Sequence, residues 1–268
     1  TGGSITVAAN DQNNRPTATT GDTVLLNAGW QVRQPPAKNY SVSALLLAPD
    51  GSVLAHRETY PGLGLRPTRY LQPGQQFTDS YPLTVAAAIT EPLVARAVIG
   101  LFDFDSADRA GLPALDAGGS PVTPVVGWVK LIPQPWPGYQ PQIPANINFG
   151  DSIRLIGYDL TGATEISNSL TLYWQSAAPV TEDYTLFIHL LDAGGSVIAQ
   201  ADGPPTGSVY PTGWWRPGET IADRHALPAA AGVAAVRLGL YSPATGQRLP
   251  VLASSLPAQD NSVIIELR

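Results

Sequence analysis

Apolar and polar positions alternate along this chain in short runs. Leu170-Thr171-Leu172-Tyr173-Trp174 places an apolar residue at every second position, the period of a half-buried β-strand. Tyr184 to Leu191 is rich in β-branched and aromatic residues, and Ala193-Gly194-Gly195-Ser196 follows as a hairpin turn into Val197-Ile198-Ala199. Pro49-Asp50-Gly51 is a stronger turn signal of the same kind. Val236 to Tyr241 and Ser262 to Leu267 read as further strands. Only Val85–Ala88 and Ala229–Ala235 carry alanine-rich, weakly helical text, and both fit a turn.

The pattern repeats. At a constant offset of 144, Trp30 meets Trp174, Tyr40 meets Tyr184, and Gly51-Ser52-Val53 meets Gly195-Ser196-Val197. Pro67-Thr68 then meets Pro211-Thr212, Pro73-Gly74 meets Pro217-Gly218, and Asp79 meets Asp223. Further on the offset shortens to 139, where Gly100-Leu101-Phe102 meets Gly239-Leu240-Tyr241. Ser4-Ile5-Thr6-Val7 resembles Ser152-Ile153-Arg154-Leu155 and aligns the two starts. Repeats at a fixed period announce repeated structural units. The expected organisation is a β-sandwich over residues 1–132, a proline-rich linker over 133–146, and a second sandwich over 147–268. About eight short strands per unit, at sandwich-like turn spacing, make the fold class all-β: two homologous immunoglobulin-like β-sandwich domains in tandem. Trp30 and Trp174 are expected in the two cores, where such folds bury a tryptophan.

Composition narrows the function. The formal net charge is −6 and no basic run exists, which argues against nucleic acid, whose phosphates need clustered positive charge. Cysteine and methionine are absent, so disulfides and thiolate metal sites are excluded. With Thr1 first, the sequence reads as a processed protein or a piece of a longer one. No stretch approaches the roughly 20 apolar residues of a membrane span. Glycine and proline number 26 each, which makes turns frequent and long helices unfavourable.

The run Asn148-Phe149-Gly150-Asp151-Ser152-Ile153-Arg154-Leu155-Ile156-Gly157-Tyr158 opens the second unit. Leu172-Tyr173-Trp174-Gln175, Asp202-Gly203-Pro204-Pro205, Tyr210-Pro211-Thr212 and Trp215-Arg216-Pro217-Gly218-Glu219 follow. Together they resemble a β-sandwich module of bacterial envelope proteins, found as the extracytoplasmic C-terminal accessory part of multi-pass family-39-type glycosyltransferase-like proteins. The resemblance covers unit two and, more weakly, unit one. It implies an accessory domain and supplies no catalytic residue. Unit one departs at Phe102-Asp103-Phe104-Asp105, where unit two has Tyr241-Ser242-Pro243.

Candidate chemistry is sparse. No Gly-x-Ser-x-Gly elbow, His-Glu-x-x-His pair or phosphate loop occurs. His189 and His225 fall within strands, and neither has a histidine at its counterpart in unit one. Asp103, Asp105 and Asp108, with Asp116 beyond, offer hard oxygen ligands for calcium, although the spacing is not that of an EF-hand. Tyr210, Trp214 and Trp215 form an aromatic cluster, with Trp136 and Tyr139 in the linker. Adjacent tryptophans in extended backbone point to opposite faces, which leaves one ring for stacking on a sugar. Rim packing is the competing reading. The leading expectation is a non-catalytic, extracytoplasmic structural or interaction module of a bacterial envelope or surface protein. Its partners would be another surface protein, or copies of itself through sheet edges. The alternative is a carbohydrate-binding module that holds polysaccharide through Tyr210, Trp214 and Trp215. No cofactor is expected, calcium at the three aspartates apart.

Overall fold

A computed structural model describes residues 3–7, 9–10, 15–161 and 168–267. The chain divides into two compact units, Thr1–Trp136 and Pro137–Arg268. Each is built of two β-sheets that enclose an apolar core.

In the first unit, β1 (Gly3–Thr6), β4 (Thr23–Gln31) and β7 (Gln76–Thr84) form a three-stranded sheet in the order β1-β4-β7. The second sheet runs β2-β3-β9-β8-β5-β6. It comprises β2 (Ala9–Asn10), β3 (Pro16–Ala18), β5 (Ser41–Leu47), β6 (Val53–Thr59), β8 (Leu93–Phe102) and β9 (Val125–Leu131). All pairs are antiparallel except β3 with β9, where Thr17 faces Lys130 and Ala18 faces Leu131. Alternation explains the core. Val24, Leu26 and Ala28 of β4 meet Val42, Ala44 and Leu46 of β5, while the residues between them point outward.

In the second unit the first sheet has the order β15-β12-β11-β10-β17. Its strands are β10 (Ile143–Phe149), β11 (Ile153–Thr161), β12 (Asn168–Ser176), β15 (Thr220–Leu227) and β17 (Val251–Ser254). The other sheet is β14-β13-β16-β19-β18, from β13 (Thr185–Leu191), β14 (Val197–Gln200), β16 (Ala235–Tyr241), β18 (Ala258–Gln259) and β19 (Ser262–Glu266). The stretch read as linker gives its last residues to this unit: Ile143 faces Tyr158 and Pro144 faces Gly157 in the β10–β11 pair. Val85–Ala88 and Ala229–Ala234 contain no helix.

Pairing registers agree between the units at the offsets read from the sequence. Trp30 faces Phe77, and Trp174 faces Ile221. Leu46 faces Ala55 and Leu190 faces Ala199, with a bulge at the next residue in both hairpins. Ser41 faces Phe102, and Thr185 faces Tyr241. Four features depart from an exact match of the two units. The second unit adds β10 and β17 beyond β11, and the parallel β3–β9 pair belongs to the first unit alone among the described residues. Ser4–Val7 is not the counterpart of Ser152–Leu155 either. Ile5 faces Leu26, whereas the counterpart of Leu26, Leu170, faces Leu160. An alternating tetrapeptide fits a strand in many registers, and here cross-strand packing chose another one. Finally, Trp174 is fully buried, but Trp30 is only partly so and stacks on Phe77 with centroids 6.5 Å apart.

Candidate functional site: the loop ends

Strand register gathers the long connections of the first unit at one end. Gln31 faces Gln76, Ser41 faces Phe102, and Val42 faces Thr59. Segments 32–40, 60–75 and 103–124 therefore leave from neighbouring strand ends. In the second unit, segments 177–184, 201–219 and 242–250 leave from the matching ends. Loops carried by a rigid sandwich are where such folds place recognition.

Polar side chains hold these segments, and most recur at the offset. Thr68 Oγ1 accepts the Tyr40 N–H at 2.7 Å and donates to Lys38 O at 3.1 Å. Thr212 Oγ1 accepts the Tyr184 N–H at 2.8 Å and donates to Glu182 O at 2.8 Å. Asn39 Oδ1 accepts from Arg69 N at 3.2 Å, and Asp183 Oδ1 accepts from Gly213 N at 2.8 Å. Both threonines are buried. Each is the first residue of a short 3-10 turn, Thr68–Tyr70 or Thr212–Trp214.

A buried carboxylate anchors the start of each crossing segment. Asp79 Oδ2 accepts from Gly62 N at 2.5 Å and from the Tyr81 hydroxyl at 2.8 Å. Asp223 Oδ1 accepts from Thr206 N at 2.7 Å, its Oδ2 accepts from Trp174 Nε1 at 3.0 Å, and His225 Nε2 lies 2.8 Å from Oδ2. The anchored residues sit in left-handed backbone: Gly62 (φ 69°) and Leu63 (φ 52°), against Thr206 (φ 57°) and Gly207 (φ 60°). That conformation is costly for a β-branched or bulky residue, and the carboxylate holds the N–H that it presents. Burial, and then the hydrogen bond to Asp79, pushes the Tyr81 hydroxyl far above its ordinary range.

One contact keeps its place and changes its chemistry. In the first unit Lys38 pairs with Asp103. In the second, the hydroxyl of Ser242 donates to Glu182. Each joins the first connection to the last. The hydrogen bond from Lys38 holds the Asp103 carboxyl below the usual carboxylate range.

The three aspartates of the calcium expectation turn to separate surroundings. Asp103 turns to Lys38 and accepts from Asp105 N at 3.1 Å; Asp108 caps Ala110 N at 3.2 Å, and Asp105 is exposed. Among the described residues, no three His, Cys, Asp or Glu side chains converge on a metal position. Asp116 stands apart in a turn, where its Oδ1 accepts from Gly118 N and Ser120 N at 2.9 Å.

The aromatic cluster divides between inside and outside. Tyr210 and Trp215 are fully buried, and only Trp214 is half-exposed. The Tyr210 hydroxyl donates to Glu219 Oε2 at 2.5 Å and lies 2.9 Å from Trp214 O, and Trp215 Nε1 donates to Tyr210 O at 2.9 Å. The two rings are an inner filling for segment 201–219, because their polar tips find partners inside it. In the former linker, Tyr139 packs against Tyr173, 5.9 Å between centroids. Burial, reinforced by Asp159, pushes the Tyr173 hydroxyl up to about 12.

His189 stands on the outward face of β13. Arg237 Nη2 lies 3.3 Å from its Nδ1, and Gln200 Nε2 lies 3.1 Å from its Nε2. Burial lowers its pKa. The sequence reading passed over the tethers Thr68, Thr212, Asp79 and Asp223 as a site, although all four stand among the residues matched at the offset. Buried polar residues repeated among turn residues were the available signal.

No family model matches this chain, and no curated protein matches it. Solved structures offer distant likenesses. A β-glucuronidase of Bacteroides uniformis is 13% identical over 88% of this chain and 26% of its own, at a TM-score of 0.28. The class 5 fimbriae chaperone CfaA is 8% identical, with 98% of both chains covered and a TM-score of 0.30. Native alpha-2-macroglobulin from Escherichia coli, domains NIE-MG1, is 10% identical over 99% of this chain and 97% of that one, at 0.21. The chain spans about a quarter of the β-glucuronidase chains it matches. Likenesses this weak assign no activity.

Proposed function

We propose that this chain is a tandem duplication of one sandwich module that serves as a non-catalytic structural or interaction part of an extracytoplasmic envelope protein. The observation that carries the reading is the shared anchoring of the loop ends. Thr68 and Thr212, Asn39 and Asp183, and Asp79 and Asp223 make equivalent contacts in the two units. The tips they hold differ: Leu63, Leu65 and Tyr70 in one, Gly207, Val209 and Trp214 in the other. A common frame with divergent tips suits a scaffold that presents surfaces. The buried carboxylates support this, since each oxygen of Asp223 receives a backbone or indole donor that fixes the fold. The resemblance to accessory domains of glycosyltransferase-like envelope proteins supports a location outside the cytoplasm. Outermost strands such as β6, β7, β14 and β15 give it edges for pairing with another chain. Protease treatment of intact source cells tests the location. The account expects the chain to be cleaved before lysis, and protection until lysis contradicts it.

A further inference from the structure

We infer that the tip of segment 60–75 in the first unit docks on a lipid surface with anionic headgroups. Leu65 is 89% exposed, Tyr70 62% and Leu63 48%. Large apolar side chains left in water along one short segment mark an interaction surface. Leu63 adds an independent observation. It holds a left-handed backbone (φ 52°) at the place where the second unit has Gly207. A leucine there is strained and leaves its side chain half in water, so packing within the unit does not account for it.

The chemistry of the tip favours lipid over a protein groove. Gly64 N donates to Tyr60 O at 2.9 Å, Leu65 N to Gly62 O at 3.2 Å, and Arg66 N to Pro61 O at 2.9 Å. A tip whose amides are paired within itself avoids much of the penalty that hydrocarbon imposes on open backbone. Two cations follow the leucines in sequence. The Arg66 guanidinium lies 4.5 Å from the Phe77 ring centroid and that of Arg69 lies 4.6 Å from the Tyr70 centroid. Segment 60–75 contains no Asp or Glu, in a chain of net charge −6. Apolar tips beside arginines and a tyrosine match the layering of a membrane interface, where aromatic and basic side chains sit at headgroup level. The nearby Glu58 is paired with Arg109 at 3.1 Å, and Asp103 with Lys38.

This inference deepens the interaction-module reading by naming a partner, and the two fail separately. Protease accessibility on cells does not depend on vesicle binding. The experiment is co-sedimentation of the full chain with phosphatidylcholine vesicles, with and without phosphatidylglycerol. The expected result is binding to the anionic vesicles. Leu63→Gly with Leu65→Ser should weaken it roughly tenfold or more, since each leucine loses its transfer to an apolar phase. Arg66→Gln with Arg69→Gln should weaken it roughly fivefold per residue at low salt. Unchanged melting of the leucine variant confirms that its fold is intact, and the glycine suits that backbone. Absence of wild-type binding, or binding that survives loss of both leucines, overturns the inference. Self-association of the chain in light scattering that the leucine variant abolishes also overturns it, by giving the tip to a second copy.

Discussion

The indole N–H of Trp174 donates to the Asp223 carboxylate at 3.0 Å, and both residues are fully buried. The same carboxylate holds Thr206 N and lies against His225. Removing it leaves the buried Trp174 N–H and the partly buried Thr206 N–H without their acceptor and takes the carboxylate from beside His225. Asp223→Ala should therefore destabilise by about 3–5 kcal/mol, read by urea unfolding with Trp174 fluorescence. Asp79→Ala should cost less, because Asp79 is less deeply buried than Asp223 and holds Gly62 N and the Tyr81 hydroxyl, with no histidine beside it. Equal costs at the two sites would refute the difference drawn here.

Thr68 and Thr212 predict a matched pair of effects. Thr212→Val keeps the side-chain shape and leaves Tyr184 N and Glu182 O without their partner. The cost should be about 1–3 kcal/mol, with serine restoring most of it. Thr68→Val should behave alike through Tyr40 N and Lys38 O. Denaturant midpoints of the four variants decide the matter, and a neutral Thr212→Val would count against a tethering role.

Gly239 and Gly100 occupy matching strand positions with opposite tolerance. A Cβ on Gly239 would lie 2.7 Å from the Phe187 ring and 2.8 Å from Asn261 O, while one on Gly100 meets nothing within 4 Å. Gly239→Ala should cost about 1–3 kcal/mol, and Gly100→Ala should be close to neutral. Thermal melts of the two variants give the comparison; similar shifts would show that β13 and β16 are less closely packed than described.

His189 makes stability depend on pH. Burial is the first cause of its lowered pKa, and Arg237 and Arg248 add to it against Asp202. Its folded value lies below the ordinary 6.5, so as pH falls the unfolded chain takes up the proton first. The contribution is present above about pH 6.5 and is lost as pH drops through the folded value. Melting temperature between pH 7.5 and 5 should fall less in His189→Gln than in the parent chain. Identical slopes would remove His189 as the cause.

Much of the fold was legible because strand alternation and turn residues are local signals. The offset of 144 carried more. It paired Trp30 with Trp174 and Leu46 with Leu190 in registers that the sheets reproduce. The edges were less legible. Nothing local distinguishes Ile153 from Leu160 as the counterpart of Ile5, because cross-strand packing makes that choice. The site was read least well. Asp103, Asp105 and Asp108 lie close in sequence, but Lys38, 65 residues away, decides where Asp103 points. Trp215 and Tyr210 look like a platform as a string, yet the turn Thr212–Trp214 folds both inward. Long-range partners govern burial, and a string of residue types does not contain them.

Amide hydrogen exchange at four backbone positions tests the central claim, that equivalent buried tethers hold both loop ends rigid. The positions are Tyr40, Gly62, Tyr184 and Thr206, whose N–H groups meet Thr68, Asp79, Thr212 and Asp223. The account predicts that all four exchange about as slowly as amides of the adjoining strands, since opening them requires the loop end to leave the sandwich. Exchange at the rate of an unprotected loop at either pair would contradict it.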